Sequence, residues 1–129
     1  MPKTSNYKIR RIKQLVDRRD GDTCRRCGQP TWGDDFSRHH RIPRGAGGSA
    51  LVDRVSNILK LCGSGSTGCH GWVESNRADA EILGYLLPKL NPGIDPETEP
   101  IFIHQHGWVL LGANGSITPC AAPRREVVE

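Results

Sequence analysis

The chain has 129 residues, 36% of them apolar and 5% aromatic, with a net charge of +4 and a mean hydropathy of −0.52. That length is one domain, and so thin an apolar fraction beside 15 Gly and 9 Pro excludes a large core. No apolar run approaches the ~20 residues that span a bilayer, and the opening MPKTSNYKIRRIKQLVDRRD lacks the apolar stretch of a signal peptide, so a cytoplasmic protein without membrane association is expected.

Charge is divided unevenly along the chain. Residues 1–60 carry 14 Lys/Arg against 6 Asp/Glu, a balance of +8, and residues 61–129 carry 4 against 8, a balance of −4. A basic half of this strength suits a polyanion, nucleic acid first, although a solvated basic face has the same composition.

Residues 7–19 place Tyr7, Ile9, Ile12, Leu15 and Val16 at helical spacing, with Ser5 or Asn6 as cap and Asp20-Gly21 as stop. The pattern predicts a basic amphipathic helix whose narrow apolar stripe docks on the core while Lys8, Arg10, Arg11, Lys13, Arg18 and Arg19 face outward. Turn chemistry surrounds Cys24-Arg-Arg-Cys27-Gly28; a strand is predicted over 37–43, a loop over 44–56, a second strand over 57–61 and a glycine-rich turn over 63–68. From Cys69 one helix carries Trp72, Val73, Asn76, Ala80, Ile82 and Leu83 and ends near Gly84, with Trp72 in the core. Residues 90–100 read as an irregular linker, 101–103 and 108–111 as a hairpin around Gln105-His106-Gly107, and 117–119 as a candidate third strand. Asp34, Asp35 and Asp53 read as turn residues, His104 and His106 as surface residues, and Cys120 as a bystander. The expected division is a basic helix over 1–21, a core over 22–84, a linker and hairpin over 85–120 and a frayed tail over 121–129; the fold class is α+β.

Five cysteines without an export signal point to metal rather than disulfides. Cys24-x2-Cys27 and Cys62-x6-Cys69, 35 residues apart, are two tight turns able to converge four thiolates on one tetrahedral zinc. A core this thin gains on the order of 10 kcal/mol from such an ion, which makes the zinc a part of the fold. Between the pairs lies Arg38-His39-His40-Arg41-Ile42-Pro43-Arg44. Successive strand residues point to opposite faces, so His39 and His40 divide between two faces, one division being a metal ligand and a base. The zinc would bring His70, directly after Cys69, close to them; a zinc site of three cysteines and His70 is the alternative.

These residues carry a resemblance. Cys-x2-Cys, His39-His40-x2-Pro43 with Gly-Gly following, Asn57 at a strand start, Leu61-Cys62 and Cys69-His70 at a helix start resemble the HNH endonucleases, most of all small phage-encoded members. The match covers roughly residues 22–83, with a weaker echo to residue 119. It implies a zinc-stabilised ββα-metal (His-Me finger) core and a metal-dependent DNA endonuclease that leaves 3′-OH and 5′-phosphate ends. On that resemblance His40 is the general base, His39 and His70 hold the catalytic ion, and Asn57 fixes the loop and the ring or backbone of His40. A further helix histidine common in the family is replaced by Glu74; Glu74, at i+4 from His70, Asn76 or solvent completes the shell, and a carboxylate there favours Mg²⁺ or Mn²⁺ over Ni²⁺ or Zn²⁺. Arg38, Arg41 and Arg44 would contact the scissile phosphate; Arg25, Arg26 and the N-terminal helix are weaker DNA candidates. The resemblance also implies the phage terminase or packaging machinery as a partner. The rival is a zinc-stabilised DNA-binding module without catalysis.

Overall fold

The computed structural model describes residues 5–31, 33, 35–43, 52–88 and 94–123. Arg44, Asp34, the glycines that follow Pro43 and the tail beyond 123 lie outside the described residues.

Helix α1, Asn6–Asp20, starts where the Ser5 side chain accepts the Lys8 N–H at 3.2 Å and stops at Gly21. Its buried stripe is narrower than the periodicity suggests: Ile12 and Val16 pack with Val55 and Ile58, Leu15 is half-buried, and Tyr7 is 77% exposed. Arg19 does not face outward. Its guanidinium forks the Asp20 carboxylate at 2.7 and 2.8 Å and donates to the Val55 carbonyl at 2.9 Å and to that of Ile58. Asp20 is itself buried, and it also accepts from Arg25 Nε at 2.9 Å and from the Lys60 N–H at 3.0 Å. One carboxylate therefore joins the end of α1, the first cysteine turn and the second strand.

Strands β1, Phe36–His40, and β2, Ile58–Cys62, form an antiparallel pair with Phe36 opposite Cys62 and His40 opposite Ile58. Strand β2 begins after a 3-10 turn over Val55–Asn57. The pair is covered on both faces. Ile58 and Lys60 face α1, where Lys60 donates to the Gly21 carbonyl at 2.7 Å and lies 3.5 Å from Asp17. Leu59 and Leu61 face the main core with Val73, Ala80, Tyr85, Leu86, Ile101, Ile103, Val109 and Leu111.

The single helix predicted from Cys69 is two: α2, Gly68–Ser75, and α3, Arg77–Leu83. Asn76 breaks them at φ −130°, ψ 54°, its side-chain amide donating to the Trp72 carbonyl at 3.0 Å while its own carbonyl accepts the Ala80 N–H. Trp72 is half-buried, packed on the core on one side and covered by the Arg26 guanidinium, 3.6 Å from its ring centre, on the other. Strands β3, Ile101–Ile103, β4, Gly107–Leu111, and β5, Ile117–Pro119, make an antiparallel sheet in the order β3-β4-β5, with Phe102 opposite Trp108 and Leu110 opposite Thr118. The fold is α+β, with two small antiparallel sheets among the described residues, where no helix is long and apolar enough to cross a membrane.

Arg41 corrects the expectation of a phosphate contact. It is fully buried, and its guanidinium donates to the carbonyls of Gly84, Ser56, Pro96 and Glu99 at 2.8, 3.2, 3.0 and 2.7 Å and reaches that of Pro100 at 3.4 Å. These carbonyls belong to irregular backbone with no ladder to join, and a five-donor fork satisfies them at once. Arg41→Met leaves them without a donor and is expected to lower unfolding free energy in urea by about 3 kcal/mol or more. A phosphate contact at this position would instead leave stability unchanged and weaken DNA binding at low salt.

Candidate metal centre and histidine faces

The first cysteine pair sits in a turn closed by the Gly28 N–H on the Cys24 carbonyl at 2.9 Å and the Cys24 N–H on the Gln29 carbonyl at 2.8 Å. Gly28 is at φ +79°, and a Cβ there would strike the His104 imidazole, which lies over the turn. The second pair spans the end of β2 and the first turn of α2; the x6 loop closes through Ser64 and Thr67, whose hydroxyls are 2.9 Å apart. Gly68, at φ +61°, lies against the Cys62 carbonyl, too close for a side chain.

The sulfurs of Cys24, Cys27, Cys62 and Cys69 all lie within 4.8 Å of one another, and all four are free thiols. Cys27 Sγ and Cys62 Sγ are 3.8 Å apart, the ~3.8 Å edge expected of a tetrahedral zinc thiolate with ~2.3 Å bonds. Three donors point at the sulfurs: Gln29 N–H to Cys27 at 3.4 Å, Cys69 N–H to Cys62 at 3.4 Å and Arg26 Nη1 to Cys69 at 3.3 Å. Burial pushes the Cys27 and Cys69 thiols above their ordinary value; at Cys24 it acts the same way, but N–H groups of Cys27, Cys62 and Arg26 outweigh it and hold that thiol lower. Such a set ionises together only around a cation, and zinc fits it. Among the described residues it is the one convergence of three or more metal-ligating side chains. Cys120 lies apart, its N–H on the Trp108 carbonyl at 3.1 Å.

The histidines divide between the two faces of the hairpin. On the core face His39 is 3% exposed, and its Nε2 donates to the Tyr85 carbonyl at 2.6 Å. Burial lowers its pKa to about 4, against the opposing effect of that carbonyl, so the ring is neutral at pH 7. Its edge meets His70, with ring centres 5.2 Å apart at 62°. Ser37 Oγ donates to the Gly63 carbonyl at 2.7 Å and therefore accepts from His70 Nδ1 at 2.9 Å. In the neutral rings the lone pairs then fall on Nδ1 of His39 and Nε2 of His70. His70 is bound to Ser37 rather than turned to the sulfurs, so the candidate metal site is the four-cysteine form.

On the α1 face His40 Nε2 is 3.3 Å from Asp53 Oδ1, with the His40 side chain 17% and that of Asp53 6% exposed. Asp53 is thus no turn residue but a buried partner of the histidine, which no local spacing announces. The pair borders a cavity of about 240 Å³ walled by Ile9, Ile12, Val16 and Ile58. Asn57 is fully buried: its Oδ1 accepts the Ile42 N–H at 2.8 Å, and its Nδ2 donates to the carbonyls of Ile42 and Val52 at 3.2 and 2.9 Å. It clamps together the two ends of the segment between β1 and the 3-10 turn.

Other expected site residues are not brought together. Glu74 is exposed and paired with Arg77 at 2.9 Å, and the Asn76 amide is turned back to Trp72, so neither joins His39 and His70. Arg38 forks Asp17 at 3.0 and 2.7 Å, which, with its own charge, holds the Asp17 carboxyl below the usual carboxylate range despite some burial. Arg25 is buried on Asp20, which withdraws it from a DNA surface, while the half-buried Arg26 lies on Trp72. No family model, curated protein or solved structure matches the chain.

The purified protein is expected to carry one zinc per chain, and Cys62→Ser to lose both the ion and the fold, since a structural zinc contributes on the order of 10 kcal/mol. Zinc analysis and circular dichroism during chelator titration check this; a folded, metal-free chain would refute the site. The unfolded His39 takes a proton near its ordinary ~6.5, the folded one only at about 4. Its contribution is therefore complete above pH 6.5 and lost as pH falls towards 4, by about 3 kcal/mol. In urea denaturation His39→Gln should show a shallower acid slope than the wild type by that amount.

Proposed function

We propose that this chain is a metal-dependent DNA endonuclease with an HNH-type ββα core. The observation that carries the reading is the approach of His39, from the hairpin, to His70, at the start of the following helix, with Asn57 clamping the chain between. The same ordered residues that carry the resemblance in sequence supply this arrangement. Ser37 and the Tyr85 carbonyl set the two tautomers, so that Nδ1 of His39 and Nε2 of His70 would hold a divalent ion. When bound, that ion would supply charge stabilisation at a phosphate oxygen and the leaving oxygen. With Glu74 turned away, the donors are imidazoles, which suit Ni²⁺ or Zn²⁺ better than Mg²⁺.

His40 is the base. With its Nε2–H directed at Asp53, the neutral ring carries its lone pair on Nδ1, which takes the proton from the attacking water. Asp53 orients the ring and stabilises the imidazolium that results. His39 and His40 are consecutive at the end of β1, so a phosphodiester laid across that end meets the base on one side and the His39–His70 pair on the other. A second reading, DNA binding without cleavage, is favoured by one observation: only two imidazoles converge, and one of them is deeply buried.

Incubation with supercoiled plasmid in Mg²⁺, Mn²⁺, Ni²⁺ or EDTA separates the two. The nuclease nicks or linearises the plasmid in metal and not in EDTA; His40→Ala abolishes this with zinc content unchanged, and Asp53→Asn slows it by about 10²-fold. Retarded but intact plasmid with both wild type and His40→Ala establishes the binding module instead.

A further inference from the structure

We propose that the cavity beside His40 seats a single unpaired nucleotide, so that the chain acts on DNA with an unpaired stretch rather than on intact duplex. The inference rests on the reading of His40 as the water-activating base.

The cavity of about 240 Å³ lies between α1 and the outer face of the hairpin. Its wall is aliphatic, from Ile9, Ile12, Val16 and Ile58, and two cations line it, Lys13 and Arg38. Arg38 is neutralised by Asp17 at 2.7 Å. Lys13 is exposed and has no acidic partner among the described residues, so its ammonium is presented at the mouth. An apolar recess, a cation at its rim and a His–Asp pair at its border match a sugar and base attached to a phosphate. A recess of this size has room for one nucleotide. A paired base is locked in its stack, and the duplex offers only a broad rod of phosphates; entry therefore requires a nucleotide already unpaired or extruded. Beyond the two cations and the His–Asp pair, the described residues of the wall offer neither an aromatic ring nor a hydrogen-bonding side chain, so they hold a base by apolar contact without reading its edge.

The test uses the full zinc-loaded chain. In fluorescence anisotropy in EDTA at concentrations that leave the zinc bound, a mixed-sequence single strand of twelve nucleotides is expected to bind about tenfold tighter than its blunt duplex. Lys13→Gln, and Ile9→Trp, which fills the recess from a half-exposed position, should each weaken the single strand by about tenfold; Ile9→Trp leaves duplex affinity unchanged, and Lys13→Gln lowers it by only about twofold, as the loss of one surface charge does. Equal affinity for both forms, or an equal loss for both with each variant, would overturn the proposal and reduce Lys13 to one charge on a basic surface. Cleavage keeps the two readings apart. With linear DNA, cutting confined to a central bubble supports both; equal cutting of bubble and duplex upholds the nuclease and overturns the cavity assignment. Single-strand binding that both variants weaken, without cleavage in any metal, upholds the cavity and overturns the nuclease.

Discussion

Successive side chains on a strand point to opposite faces, and most of this structure follows from applying that rule to the five residues of β1. Ser37 and His39 turn towards α2 and the larger core; Arg38 and His40 turn towards α1. A two-stranded sheet is marginal by itself, so both faces have to be covered, and the two covers differ in kind. The core face is apolar and closes on the cysteine cluster through Leu59, Leu61, Val73 and Cys69. The apolar part of the α1 face is small, with Ile12, Val16, Val55 and Ile58 buried and Leu15 packed against them, and charge pairs complete it.

Those pairs explain how so few apolar residues define one arrangement. Asp20 holds two guanidiniums and one backbone N–H, and Arg41 holds five carbonyls from three separate segments. Replacing a buried ion pair by packed hydrocarbon is often neutral, whereas removing one partner is costly. Groups of this kind therefore contribute less to net stability than to excluding wrong registers: a slip of β2 by one residue would carry the Lys60 N–H away from Asp20 and exchange Leu59 for Lys60 in the core. The four-cysteine cluster, which could hold a metal ion such as zinc, acts in the same sense from the other end, bringing the end of β2 to the first cysteine turn.

How much of this was legible in the sequence depended on the range of the interaction that decides each residue. The cysteine pairs were legible because spacing and adjacent glycines are local, and so were α1, the central hairpin and strands β3 and β4. The His39–His70 approach could be anticipated because Cys69 precedes His70 and the cysteine cluster brings it towards the hairpin. Asp53, Arg19 and Arg41 are placed by interactions that their local sequence does not show. Each looks like a solvated turn or surface charge in its own neighbourhood, and each is buried by a partner 13 to 59 residues away. The break at Asn76 was hidden as well, because Ala80, Ile82 and Leu83 keep a helical rhythm across it. Glu74 illustrates the limit of a face argument: it shares a helix face with His70, yet Arg77 at i+3 holds it in solvent while Ser37 turns His70 inward.

The charge of the basic half has the same lesson for function. Of the cations in residues 1–60, Arg19, Arg25, Arg41 and Lys60 are consumed in internal contacts, Arg38 is paired with Asp17 and Arg26 lies on Trp72. Arg54 is paired with Asp95, and among the described residues Lys8, Arg10, Arg11, Lys13 and Arg18 remain exposed, all five on α1. Among the described residues the exposed positive charge without an ion-pair partner is thus concentrated on one helix, and that helix forms a wall of the cavity that His40 borders. The acidic half serves a different end: His104, on the turn between β3 and β4, lies over Gly28 and donates its N–H to the Arg25 carbonyl at 2.7 Å, buttressing the first cysteine turn from behind. A polyanion drawn to α1 arrives on the side of the hairpin where His40 and Asp53 stand, and the imidazole pair of the other face is reached only around the end of β1.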